Sequence, residues 1–263
     1  MIVIDKLCYN SKLRYVNPGE KFIFSVSTLC LCVASRSVLI ACLVFLMNGI
    51  LTVKIGGIPF FRYCKLLRIP LAFLLLSTLT IIVNFSKVPL NAFAIPIAGI
   101  YITGSYESLQ FGIQLILTAL AGVSCLYFLS LHTPMTDILD FLRKIHCPSL
   151  IVELMLLIYR FIFVLLEIAS AMTISQHSRL GNKDLKTALQ SFGALGSMLF
   201  IRGMKKSNAL YDAMESRCYT GTIHVLEEHL PPNKKEILWI IFAEVTLIVI
   251  LIIERTTIWT ILF

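Results

Sequence analysis

Two guanidinium groups carry the most specific chemistry in this chain: Arg179, in Gln176-His177-Ser178-Arg179-Leu180-Gly181, and Arg217, in Ala213-Met214-Glu215-Ser216-Arg217-Cys218-Tyr219. Arginine presents five donors in a planar fork and stays charged, so it suits a carboxylate- or carbonyl-lined groove on a partner. A cation at a helix C-terminus also gains about 0.3 to 1 kcal/mol from the helix dipole. The residues by themselves favour that plainer role.

Other charged groups fall at spacings that matter. Glu153, Arg160 and Glu167 recur every seven residues, which puts them within about 20° of one helix face among Leu154, Leu157, Ile158 and Phe161. Such a stripe pairs with neighbouring helices or headgroups, or it contacts a partner. Glu244 lies in the middle of an apolar run, where an ionisable residue is costly and faces a bundle interior. It reads as a structural hydrogen bond or as part of an ion path. His224 and His229, near Glu227 and Glu228, form the only local histidine cluster and read as a solvated connector before Pro231-Pro232, so no metal site is expected in this chain. The eight cysteines are dispersed, with no Cys-x-x-Cys pair, and read as small apolar filler. No Gly-rich phosphate loop is present, so the chain is not expected to hydrolyse ATP.

The elements that position these groups are set by composition. Hydrophobic residues make up 57% of the 263 and charged residues 14%, with a mean hydropathy of +0.85, which marks an integral membrane protein. A helix needs about 20 apolar residues to cross a bilayer. Five apolar runs read as candidate spans, residues 22–34, 38–53, 71–84, 109–131 and 237–253, several of them short of that length, so their helices are expected to extend a few residues beyond these bounds. The first two flank Ser35-Arg36-Ser37 and read as a tight helical hairpin, or as one amphipathic helix through Arg36. The N-terminal stretch, with Asp5, Lys6, Lys12, Arg14 and Pro18, does not read as a signal peptide.

Between the fourth and fifth spans, residues 132–235 hold too many charges for a span and too many apolar residues for a linker. Thr133-Pro134-Met135-Thr136-Asp137 reads as a helix start capped by Thr133, with that helix ending near Lys144. Pro148 opens a second helix to about Arg179, stopped by Gly181-Asn182, and a third runs from about Leu185 to Ser216. The chain is thus expected to be an all-α membrane protein: residues 1–131 with four spans, 132–235 as helices facing water, and 236–263 as the final span. With the N-terminus inside, 20 of the 23 Lys and Arg fall on the cytoplasmic side and only Arg36, Lys87 and Arg255 outside. The net charge of +8 therefore reads as topology and contact with anionic lipid rather than nucleic-acid binding.

In order along the chain, several fragments resemble one family: Leu131-His132-Thr133-Pro134, Leu139-Asp140-Phe141-Leu142-Arg143-Lys144 with Pro148, Tyr159-Arg160-Phe161, Ser178-Arg179, and Ala213-Met214-Glu215-Ser216-Arg217 with Tyr219 and Gly221. Together with Asn17-Pro18-Gly19-Glu20-Lys21 they resemble the transmembrane T component of energy-coupling factor (ECF) transporters, cobalt-type, the CbiQ family. The resemblance implies a non-catalytic scaffold of an ATP-driven importer for cobalt, or else nickel or a vitamin. Its implied partners are two ABC-type ATPase subunits, which bind the ATP and Mg, and a membrane-embedded substrate-binding S component. It further implies that two Ala-Arg-Gly-like motifs dock into the ATPases, mapping here onto Ser178, Arg179 and Leu180 and onto Ser216, Arg217 and Cys218. Ser replaces Ala in both, and Leu or Cys replaces Gly. The competing reading is a self-contained secondary transporter using Glu244 and Glu167.

Overall fold

The computed structural model describes residues 3–82, 84–86, 93–97, 100–219, 221 and 233–262. Among the described residues the chain forms nine α-helices with a small sheet: α1 (Val3–Tyr9), α2 (Pro18–Ser35), α3 (Val38–Ile50), α4 (Phe60–Ile82), β1 (Asn84–Ser86), β2 (Phe93–Ile97), β3 (Ile100–Gly104), α5 (Tyr106–His132), α6 (Met135–Lys144), α7 (Ser149–Ser178), α8 (Leu185–Glu215) and α9 (Lys234–Leu262). The helical class expected from composition holds. The sheet is an addition, antiparallel with order β1-β3-β2, and its edge strand β2 accommodates Pro96, which lacks a ladder donor.

Two compact units result, one of residues 135–228 and one of 2–134 with 229–263. In the larger unit, α5 is the central helix. Its Ala121, Ser124 and Cys125 are fully buried, and small residues of this kind let helices approach closely within a membrane. One apolar cluster joins Cys32, Ile40, Ala41, Val44, Ala121, Cys125 and Leu247. A second gathers Leu7, Ile58, Tyr63, Leu67, Leu120 and Leu131.

Local chemistry fixes the helix ends. Asn17 Oδ1 accepts from Gly19 N at 2.9 Å with Pro18 in the first turn of α2. Arg36 takes a left-handed conformation, φ 50°, between α2 and α3, so the hairpin reading of this turn is the one realised. Ser37 caps α3 through Ile40 N. α3 continues as a π-helical turn, Leu51–Ile55, and the chain then turns at Gly56. A Cβ at Gly56 would collide with the His132 ring and stand 2.6 Å from Thr52 O, so only glycine fits there. Around it Ser11 Oγ lies 2.5 Å from His132 Nδ1, and Lys21 Nζ donates to His132 O at 2.9 Å. This buried cluster ties the N-terminal segment, α2, the turn before α4 and the end of α5 together at one end of the bundle.

α9 runs parallel to α2 and is held to its neighbours by polar contacts at three levels. Asn233 N donates to Glu20 Oε1 at 3.1 Å, Ser27 Oγ to Glu244 Oε1 at 2.6 Å, and Ser37 Oγ to the Glu254 carboxylate at 2.6 Å. The contacts follow the same order along both segments, as a parallel pairing requires, and the third is made by Ser37, the cap of α3.

By length and apolar composition, five helices among the described residues suffice to cross a membrane: Val38–Ile55, Phe60–Ile82, Tyr106–His132, Ser149–Ser178 and Lys234–Glu254. Four correspond to expected spans, and the fourth helix begins eleven residues before position 71, because Arg62, Lys65 and Arg68 lie on a continuous helix and Pro70 does not end it. The expected span 22–34 is not among the five; α2 has 18 residues and opens with Gly19-Glu20-Lys21. α7 takes that place in the count, since its charges are spread thinly enough to leave a long apolar stretch. Thr133 does not cap α6: it is the C-cap of α5, and its hydroxyl is buried with no hydrogen-bond partner among the described residues.

Candidate coupling site

Arg179 and Arg217 follow the last turns of α7 and α8, and the two ends are built alike. At the first, Leu180 N donates to His177 O at 3.1 Å and Gly181 N to Gln176 O at 2.8 Å. At the second, Cys218 N donates to Glu215 O at 2.9 Å and Tyr219 N to Met214 O at 3.1 Å. This pair of bonds defines a Schellman ending, in which the residue after the cap is left-handed. Leu180 and Cys218 both stand at φ 59°. The preceding serines match as well: Ser178 Oγ donates to Ile174 O at 3.0 Å and Ser216 Oγ to Asp212 O at 2.5 Å. α6 ends with the same bonds, His146 at φ 64° and Cys147 N to Leu142 O at 3.1 Å, but its cap position holds Ile145 rather than arginine.

α7 and α8 form an antiparallel pair. Followed forward from Glu153 through Leu165 to Gln176, the contacts of α7 step backward from Tyr219 through Gly203 to Ser191. The two arginines therefore sit at opposite ends of a rod whose 31-residue helix spans about 46 Å. Both are exposed, and neither guanidinium bonds to another described residue.

Side chains fasten both ends. Tyr219 OH donates to Glu153 Oε2 at 2.8 Å, linking the chain after α8 to the second turn of α7, and Glu153 is only 5% exposed. A carboxylate near a helix N-terminus is also favoured by the dipole. This hydrogen bond raises the Tyr219 phenol above its ordinary range. The bonded state is therefore fully present below the unfolded phenol's pKa and is lost as pH rises through the raised folded value. At the other end Gln176 Nε2 donates to Ser191 O at 2.8 Å, and Ser191 Oγ donates to Gly181 O at 2.8 Å. A Cβ at Gly181 would stand 2.8 Å from Ser191 Oγ, so glycine makes room for that contact.

The remaining expected residues are dispersed. Arg160 and Glu167 are exposed on α7, so of the seven-residue stripe Glu153 alone is buried. Glu244 belongs to the other unit, bonded to Ser27, with its second oxygen buried and unpartnered among the described residues. His224, His229, Glu227, Glu228, Pro231 and Pro232 lie outside the described residues. Among the described residues, no group of three or more His, Cys, Asp or Glu converges as metal ligands do. The sequence reading missed Gln176 and Ser191, whose pairing depends on the antiparallel register, and the shared left-handed turn, which neither Leu nor Cys signals.

The described residues thus form a helical, multi-pass membrane protein carrying an all-helical unit with two matched, arginine-bearing ends. The model of the family described as cobalt transport protein, CbiQ, matches residues 9–229. Among curated proteins, this chain is 36% identical over 248 residues to an uncharacterized protein of Methanocaldococcus jannaschii, covering 94% of this chain and 92% of that one. It is 32% identical over 234 residues to a putative fused cobalt transport protein CbiMQ of Methanocorpusculum labreanum, covering 88% of this chain and 39% of the relative. It is 26% identical over 226 residues to the cobalt transport protein CbiQ of Salmonella typhimurium, covering 86% and 100% respectively. The chain belongs to the CbiQ cobalt transport family. It is a membrane component of cobalt transport.

Proposed function

We propose that this chain is the transmembrane scaffold, or T subunit, of an ATP-driven ECF-type importer of cobalt ions. In this reading two ABC-type ATPase subunits bind ATP and Mg and hydrolyse the nucleotide, and a membrane-embedded S component captures the substrate. The observation that carries it is the pair of identically built helix ends, each presenting an exposed arginine about 46 Å from the other. Two like docking points at the ends of one rod fit two like subunits. As the ATPases close on ATP, they act on Arg179 and Arg217 at separate grooves, and the rod reorients the substrate-binding subunit. The rod and the N-terminus are cytoplasmic in this reading, with Lys12, Lys21, Lys54 and Arg62 gathered at the inner end of the bundle. Nickel or a vitamin as cargo leaves the argument unchanged, because another subunit selects it.

Substituting each arginine by Glu, singly and together, tests the reading through ATPase co-purification and cobalt uptake. Truncating one side of a hydrogen-bonded interface charge costs about 2 to 5 kcal/mol, so the double variant loses both assembly and uptake. Wild-type assembly and uptake in the double variant would sink the coupling role. A self-contained secondary transporter using Glu244 and Glu167 is less well supported, since Glu244 is hydrogen-bonded to Ser27 and Glu167 is exposed on α7.

A further inference from the structure

We propose that Tyr219 with Glu153, and Ser191 with Gln176, are positioning residues that hold each coupling arginine in its docking pose from the neighbouring helix. The inference rests on the docking role of Arg179 and Arg217. Arg217 has no side-chain bond to a described residue, yet the backbone around it is restrained from both directions. Behind it is the last turn of α8, with Ser216 bonded to Asp212 O. Ahead of it, Cys218 turns the chain through the left-handed region, and Tyr219 OH locks the next residue onto Glu153 at 2.8 Å.

The Arg179 end is restrained by different atoms to the same effect. Leu180 makes the left-handed turn, Gly181 O accepts from Ser191 Oγ at 2.8 Å, and Gln176 Nε2 reaches Ser191 O at 2.8 Å. At each end one tied residue, Tyr219 or Gly181, lies two residues beyond the arginine and is bonded to the opposite helix of the pair. Gln176, three residues before Arg179 on α7, adds a second tie across to Ser191. A flexible arginine loses side-chain freedom when it docks, and a fixed backbone limits the further ordering cost. Burying the Glu153 carboxylate is itself costly unless it is hydrogen-bonded, and its bond to Tyr219 places that investment at the docking end.

The test uses the full-length chain in detergent with a co-expressed, tagged pair of cobalt-type ABC ATPases, and reads apparent affinity and thermal midpoint. In an Arg179→Glu background, where only the Arg217 end docks, Tyr219→Phe weakens capture about tenfold. In an Arg217→Glu background the same change has no further effect. Ser191→Ala shows the mirror pattern. Glu153→Gln, which keeps an acceptor for Tyr219, retains more capture than Glu153→Ala. Equal losses in both backgrounds, with a falling thermal midpoint, would mean the ties only hold the fold, and the proposal would be overturned. Full capture after Tyr219→Phe in the Arg179→Glu background would overturn it as well. If Arg179→Glu and Arg217→Glu together leave capture unchanged before any tie is cut, docking itself fails and takes the proposal with it.

Discussion

Leu180 and Cys218 carry a Cβ in left-handed backbone, a conformation that costs an L-residue roughly 1 to 2 kcal/mol. Glycine adopts it freely. Leu180 is also 70% exposed, so its side chain gives little burial in return. Leu180→Gly and Cys218→Gly are therefore expected to raise the thermal midpoint of the purified protein, each by the equivalent of about 0.5 to 1 kcal/mol after the greater unfolded-state freedom of glycine is counted. Leu180→Ile is expected to lower it, because a β-branched side chain fits φ > 0 worst. A lower midpoint for the glycine variants would show that the side chains pack against something that outweighs the strain. While the residues by themselves favoured only the plainer role of a cation at a helix end, the helix ends that carry the two arginines were legible in the sequence, since Gly181-Asn182 marks where α7 stops. The turn was not: Gly181 signals the end of α7, but it stands one residue beyond the left-handed position and serves the approach of Ser191.

Among the helices, α9 is the one whose packing its sequence least reveals. Its apolar residues surround it, and the run gives no face to choose. The face is decided by Glu20, Ser27 and Glu254, which meet Asn233, Glu244 and Ser37 respectively, contacts more than 200 residues apart in the chain. Glu244 was recognisable as a misfit in an apolar run, and its structural reading is the one the Ser27 bond supports. Hydrogen bonds between membrane helices average about 0.6 kcal/mol and reach about 1.7. Ser27→Ala is expected to lower the thermal midpoint by an amount in that range, and Glu244→Gln by less. The double change Ser27→Ala with Glu244→Leu recovers much of the loss, since removing both partners leaves no buried polar group unsatisfied. A double variant less stable than Ser27→Ala alone would show that Glu244 has a further role.

For the whole molecule, composition made the membrane class legible, and the apolar runs located four of the five helices long enough to span. The run at 22–34 falls on α2, 18 residues with a polar first turn, and α7 in the other unit is also long and apolar enough to cross, so length and composition alone do not decide which helices span. Sidedness is the claim to test at this scale. In a cysteine-free background, a thiol at position 36 is expected to react with a membrane-impermeant maleimide added to intact cells, and a thiol at position 218 only after permeabilisation. The reverse pattern would invert the proposed orientation. The larger unit is discontinuous in sequence: residues 135–228 intervene between its two parts, and α9 joins α2 along its length. This separation sets an order of events during synthesis. Ser27 is made more than two hundred residues before Glu244, so the seam between α2 and α9 closes only after the arginine-bearing rod has emerged from the ribosome.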